Sequence, residues 1–257
     1  MGRTIAIANQ KGGVGKTTTA INLAASIAVA GKSVLLIDLD PQGNATSGLG
    51  ISRDEKRHSI YDLLIRKKGA DEIILNTATE GLHMIPSGID LVGAEVELID
   101  MDGRETVLKG SISDIRSGYD FILIDCPPSL GFLTINALTA SDSVMIPVQC
   151  EYYAMEGLGL LLKTIDRIRS SLNHPLVVEG ILLTMFDNRN NLCRQVVEEI
   201  RTHFNDIVYK TLVPRNIVLA EAPSHGMPVL LYDISSKGAE AYLQLAGEML
   251  KRCRERH

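Results

Sequence analysis

Residues Lys11-Gly12-Gly13-Val14-Gly15-Lys16-Thr17-Thr18 put three glycines, two lysines and two hydroxyls into eight positions. That combination suits phosphate chemistry. Glycines let the backbone curl so that successive N–H groups point inward at phosphate oxygens. A helix starting near Lys16 adds unpaired N–H donors and the positive end of its dipole. Lys16 is placed to charge-pair with the β and γ phosphates, and the Thr17 hydroxyl suits Mg²⁺. The ordinary pattern G-x-x-x-x-G-K-[ST] would have glycine at position 10, where this chain has Gln10. The loop reads K-G-G-x-G-K-[ST] instead, with an extra lysine at Lys11, which is the deviant Walker A form. ATP binding and hydrolysis, with Mg²⁺ as cofactor, are the chemistry it predicts.

Two apolar runs end in carboxylates. Val34-Leu35-Leu36-Ile37 leads into Asp38-Leu39-Asp40, and Phe121-Ile122-Leu123-Ile124 leads into Asp125. The second has the shape of a Walker B strand. Mg²⁺ keeps several waters in its shell, so carboxylates that hold those waters are expected near it. Hydrolysis also needs a group that orients water in line with the γ phosphate. Asp40 is the candidate for that role. Thr17, Asp40 and Asp125 form the metal-side set, and Lys11, Lys16 and Asp40 the catalytic set.

Strand ends must position these groups. Short apolar runs at Thr4–Ala8, Ser33–Leu39, Leu82–Pro86, Phe121–Ile124, Ser143–Val148, Val177–Leu183 and Ile207–Val213 read as strands. Several are apolar at every position, as in a parallel sheet covered on both faces. Lys16–Ala30, Ile60–Arg66, Glu105–Arg116, Phe132–Ala140, Glu156–Ser171, Asn191–Phe204 and Lys237–Arg256 read as helices. The alternation predicts an α/β fold, a doubly wound, mostly parallel sheet flanked by helices, as one domain over residues 1–257. Ligands of such sheets sit beyond the carboxyl ends of the strands, where every motif above falls.

Composition narrows the class. The net charge is −5, which is not the charge of a protein that coats nucleic acid, though a local basic patch can still bind phosphates. Aromatics are 4% with no Trp, so the core must be aliphatic. Cys126, Cys150, Cys193 and Cys253 form no CxxC pair and fit no zinc or redox motif; the expectation is buried thiols in a reducing cytoplasm. No run of 18 apolar residues is present, and residues 1–8 are too short for a signal peptide. His225 has no nucleophile beside it, so a packing or turn role is expected.

With these motifs in hand, the sequence resembles the ParA/Soj family of chromosome and plasmid partition ATPases, within the wider ParA/MinD group. The matching blocks are the P-loop, Asp38-Leu39-Asp40-Pro41-Gln42-Gly43-Asn44 and Asp125-Cys126-Pro127-Pro128-Ser129. Further blocks are Pro147-Val148-Gln149-Cys150-Glu151-Tyr152-Tyr153, Leu183-Thr184-Met185-Phe186-Asp187, Val213-Pro214-Arg215-Asn216 and Glu221-Ala222-Pro223-Ser224-His225-Gly226-Met227-Pro228. The resemblance implies an ATP-dependent homodimer in which Lys11 reaches the partner's nucleotide, a use in trans that the loop's own nucleotide leaves open. Glu151 would touch that nucleotide too. Met185, Pro214, Arg215 and Asn216 would join Gly12, Gly13, Val14, Gly15, Lys16, Thr17 and Thr18 in binding ATP.

The resemblance further implies sequence-independent DNA binding and a ParB-type centromere-binding partner that stimulates hydrolysis. The protein would then be cytoplasmic and nucleoid-associated, with no membrane contact. Candidate DNA contacts are Arg189, Arg194, Lys237, Lys251, Arg252 and Arg254; Val218 stands where Soj-like proteins often carry arginine. The alternative is a MinD-like division-site regulator, which needs an amphipathic membrane helix at the C-terminus. The tail from Leu243 has no Phe or Trp and reads as a helix packed on the sheet.

Overall fold

The computed structural model describes residues 2–52 and 58–255. Its eight strands are β1 (Arg3–Ile7), β2 (Val34–Asp38), β3 (Leu75–Asn76), β4 (Leu82–Ile85), β5 (Phe121–Asp125), β6 (Ser143–Gln149), β7 (Val177–Phe186) and β8 (Val208–Pro214). They form one sheet in the order β3-β4-β2-β5-β1-β6-β7-β8. Every pairing is parallel except that of β3 with β4. The expected mostly parallel, doubly wound α/β sheet is the architecture found.

The helices are α1 (Lys16–Val29), α2 (Asn44–Gly48), α3 (Ile60–Leu64), α4 (Leu91–Glu97), α5 (Val107–Ser111), α6 (Phe132–Ala140), α7 (Ala154–Ser171), α8 (Asn191–Phe204), α9 (Val218–Glu221), α10 (Val229–Tyr232) and α11 (Lys237–Glu255). The uniformly apolar strands have a simple cause. Side chains alternate across a strand, so Leu35 and Ile37 of β2 enter one core with α6 and α7. Val34 and Leu36 enter the other, with α1 and α11.

Three expectations shift. The helix expected over Glu105–Arg116 is only α5, followed by a short 3-10 turn at Arg116–Gly118; Gly110 lies inside it and lowers helix propensity. The two-residue β3 and the short helices α2, α4, α9 and α10 were not expected, being too short for a clear period. The end of the last expected helix, Arg256, lies outside the described residues.

Register sets the site. Ile7 pairs with Asp125, and Asp38 pairs with Asp125 on its other side. The last residue of β1, which leads into the phosphate loop, therefore lies level with both carboxylate-bearing strand ends, with β5 between β1 and β2.

Candidate active site

β1 delivers the chain into the loop, and Asn9 anchors it. Its Oδ1 accepts from the Lys11 N–H (3.0 Å), and its Nδ2 donates to the Pro147 carbonyl (2.7 Å). Gly13 and Gly15 have φ of 76° and 86°, left-handed values that glycine adopts without strain. Gly15 is the N-cap of α1, so the free N–H groups of its first turn face the loop.

Lys16 is buried, and its ammonium donates to the Lys11 carbonyl (2.9 Å). Burial lowers its pKa, while Asp125, Cys126 and Asp40 act against that shift. The sequence-derived trio of Lys16, Asp40 and Asp125 is thus one electrostatic cluster.

Asp125 is fully buried, and apart from the adjacent Thr17 hydroxyl its carboxylate finds no hydrogen-bond donor among the described residues. Its pKa is raised well above the usual range by burial and by Asp38, with the Thr17 hydroxyl and Lys16 opposing the rise. A buried carboxylate so sparsely hydrogen-bonded is costly unless something polar completes it. Mg²⁺ would fit this set: the Thr17 hydroxyl could serve as an oxygen donor and Asp125 could hold waters of its shell. No group of three or more His, Cys, Asp or Glu among the described residues could hold a metal ion alone.

Asp38 and Asp40 divide their work. Asp38 is buried, accepting from the Thr46 N–H (2.8 Å) and hydroxyl (2.7 Å) and from the Asp40 N–H (3.2 Å). Burial pushes its pKa up to about 6, although those bonds pull it down. Asp38 is therefore a brace for the loop that carries Asp40. Asp40 Oδ1 accepts from the Gln42 N–H (2.9 Å), and its carbonyl accepts from the Ser87 hydroxyl (2.7 Å). Thr46 and Ser87 escaped the sequence reading, because neither sits at a motif spacing.

A cavity of 410 Å³ opens beside the loop. Met185, Pro214, Arg215 and Asn216, the residues that the resemblance implies for ATP binding, line it together with Gly15 and Thr18. Thr184 and Tyr242 also line it and were missed. The Thr184 hydroxyl donates to the Val14 carbonyl (2.8 Å), tying the phosphate loop to the end of β7. Its place beside Met185 was the only available signal. Met185 has φ of 52°, a left-handed value unusual for its type and found here at the site itself.

Lys11 forms an ion pair with Glu151, so two residues expected at a partner's nucleotide meet within one chain. His225 stacks on Tyr232 (ring centroids 4.8 Å apart), the packing role expected. Cys126, Cys150 and Cys193 are buried, and no disulfide links the four cysteines.

The candidate DNA contacts do not form one surface. Arg189 and Arg194 follow the carboxyl end of β7; Arg189 is exposed and paired with Asp187 (2.9 Å), and Arg194 donates to the Asn188 carbonyl (3.2 Å). Lys237 is exposed at the start of α11, whose next residue, Gly238, packs on Leu219 beyond the end of β8. The C-terminal end of α11 lies at the other end of the sheet. There Arg252 donates to Glu248 and to the carbonyl of Val208, the first residue of β8 (both 2.7 Å), and covers the Tyr209 ring at 4.3 Å. Lys251 and Arg254 share that end, exposed. Val218 starts α9 and packs against the core.

With the site assembled, its relatives can be named. A family model described as AAA domain matches residues 2–178. The chain is 57% identical over 249 residues to the sporulation initiation inhibitor protein Soj of Bacillus subtilis, covering 97% of this chain and 98% of Soj. The chain belongs to the ParA/Soj family of chromosome-partitioning ATPases. The chromosome partitioning protein ParA of Myxococcus xanthus is 55% identical over 252 residues, covering 98% of this chain and 89% of that one. Among solved structures, a cobyrinic acid a,c-diamide synthase from Mycobacterium smegmatis with bound ADP and magnesium superposes with a TM-score of 0.87 at 36% identity. It covers all of this chain, and 97% of that protein is matched.

Proposed function

We propose that residues 1–257 act as a single Mg²⁺-dependent ATPase that partitions chromosomal or plasmid DNA by cycling between an ATP-bound, DNA-binding dimer and a released monomer. The carrying observation is the convergence of Lys16, Thr17, Asp40 and Asp125 at one end of the sheet, beside a base-sized cavity. Lys16 and the N–H groups of the loop and of α1 would bind the phosphates and stabilise charge that builds up as the γ phosphate leaves. Asp40 would orient the attacking water. Bound Mg²⁺ would supply charge neutralisation across the phosphates.

Dimerisation follows from Lys11. In the monomer it pairs with Glu151, and both side chains are partly exposed, so the pair contributes at most about 1 kcal/mol. A second nucleotide brought face to face would draw the lysine across. DNA contacts are assigned to Arg189, Arg194 and Lys237, which share the nucleotide end of the sheet. Hydrolysis stimulated by a ParB-type partner would then release the dimer in the cytoplasm near the nucleoid.

A membrane-bound, MinD-like cycle finds no support in α11. Its apolar residues Ala239, Tyr242, Leu245, Ala246 and Met249 are buried on the sheet. No helix among the described residues is long and apolar enough to cross a membrane. The test is DNA retention measured with ATP, with ADP and without nucleotide across a salt series. Binding only with ATP, blind to sequence and weakening steeply with salt, is expected. Equal binding in all three nucleotide states would overturn the reading.

A further inference from the structure

The end of the sheet opposite the phosphate loop also carries a cavity. Its volume is 590 Å³, within the range of small-ligand sites. Arg201, Asn205, Asp206, Tyr209, Lys210 and Arg252 line it, drawn from the end of α8, the turn after it, the start of β8 and the end of α11. Ligands of parallel sheets gather beyond the carboxyl ends of the strands. This cavity lies at the amino end of β8, and none of its lining residues belongs to the ATP site.

Its donors exceed the acceptors that meet them. Arg252 donates to Glu248 Oε1 (2.7 Å), while Glu248 Oε2 is taken by the N–H (2.9 Å) and hydroxyl (2.8 Å) of Thr211. Arg201 gives one bond to the Lys210 carbonyl (3.2 Å), and neither Arg201 nor Lys210 has an ion-pair partner among the described residues. Two buried donors also lack a partner among those residues, Nη1 of Arg252 and the hydroxyl of Tyr209. Burial raises the pKa of Tyr209, so that hydroxyl keeps its proton. Buried donors left over in this way call for an acceptor, and an anion entering the cavity supplies several.

Phosphate suits the cations, since arginine offers a fork of donors and lysine a point charge. Asn205 and Asp206, both exposed, suit a different group. An ionised carboxylate only accepts, so it matches sugar hydroxyls, as an acid does on a ribose. The same acid repels a nucleic-acid backbone laid across the opening. A duplex is held by cations that stand out into solvent, whereas the Arg252 side chain is only 17% exposed. A molecule small enough to enter meets the cations and the acid together.

We propose that this cavity is a second ligand site, in which Arg201, Lys210 and Arg252 hold the phosphate of a small phosphorylated sugar and Asn205 and Asp206 bind its hydroxyls. The test uses the full chain saturated with Mg²⁺ and ADP, so that the phosphate loop is filled, and calorimetric titration with ribose 5-phosphate, inorganic phosphate and ribose. Ribose 5-phosphate should bind saturably, inorganic phosphate about tenfold more weakly and ribose not at all. Lys210→Gln and Arg201→Gln should each weaken ribose 5-phosphate by about tenfold or more, with unchanged ADP affinity reporting an intact fold. Asp206→Asn should weaken ribose 5-phosphate but not inorganic phosphate. Lys251→Gln, at the same end of the sheet but outside the cavity, should change neither. Absence of saturable binding, or wild-type affinity in both the Lys210 and Arg201 variants, overturns the proposal. So does binding seen only when ADP is withheld, which would place the probe in the phosphate loop. An equal loss with Lys251→Gln would reduce the site to diffuse surface charge and overturn it as well. Loss of ATP-dependent DNA retention in Lys210→Gln would assign these cations to nucleic acid instead, and the sugar-phosphate site would fall.

Discussion

At the scale of residues, the site separates bracing from chemistry. Asp38 and Asp40 are two positions apart, yet Asp38 accepts three hydrogen bonds inside the protein, while Asp40 bonds only its own turn through its carboxylate. Asp40 therefore keeps an oxygen available to water. Replacing it with alanine should leave ATP binding intact and cut turnover by two to three orders of magnitude, the usual scale for losing a positioned polar group. Single-turnover hydrolysis checks this, and normal turnover would remove Asp40 from the mechanism. The chain's pattern put both aspartates at one strand end and pointed to Asp40 as the one that orients water. What it could not show was Thr46, whose hydroxyl and N–H claim Asp38, because a threonine six residues beyond Asp40 belongs to no period.

At the scale of elements, the phosphate loop depends on a strand remote in sequence. Thr184 on β7 donates to the Val14 carbonyl across 170 positions. A glycine-rich loop has much conformational freedom to lose on ordering, so a tie of this kind lowers the cost of shaping it for phosphate. Thr184→Val keeps the shape of the side chain and removes the donor. The lost bond contributes about 1 kcal/mol, so ATP affinity should fall by roughly five- to tenfold, read by calorimetric titration. Unchanged affinity would mean that the loop shapes itself. The helices tell the same story. The long α1, α6, α7, α8 and α11 were legible from periodicity, and α6 and α8 have the expected bounds. The short α2 and α4 were not, since α2 follows from Gly43 turning the chain at φ 57° and α4 from burial of one face.

At the scale of the whole molecule, position along the sheet sorts the charges. Lys11→Ala should still bind ATP as a monomer but fail to dimerise, because the loop's own lysine, Lys16, remains in place. Light scattering with ATP reads this, and a normal dimer would show that Lys11 has no role in trans. The basic residues divide by the end of the sheet they occupy. Arg189→Ala and Arg194→Ala should each weaken DNA binding and lower the salt slope by about one. Lys251→Ala and Arg254→Ala, at the opposite end, should change neither. Equal effects from the two groups would place DNA across the side of the sheet rather than at its nucleotide end.

The sequence alone determined the phosphate loop, the carboxylates at strand ends and the α/β alternation, because each of these is encoded locally. Glycine spacing sets the loop, unbroken apolar runs mark strands buried on both faces, and a charge after such a run must lie at a strand end. The strand order was decided by tertiary structure, and with it the register that sets Asp38 level with Asp125. So were the tie from Thr184, the pairing of Lys11 with Glu151 and the bonding of Arg252 to the Val208 carbonyl. Each of these joins residues distant in the chain, and only packing brings them within reach. The phosphate loop could be read from eight residues; what holds it, and what lies beside it, needed the whole sheet.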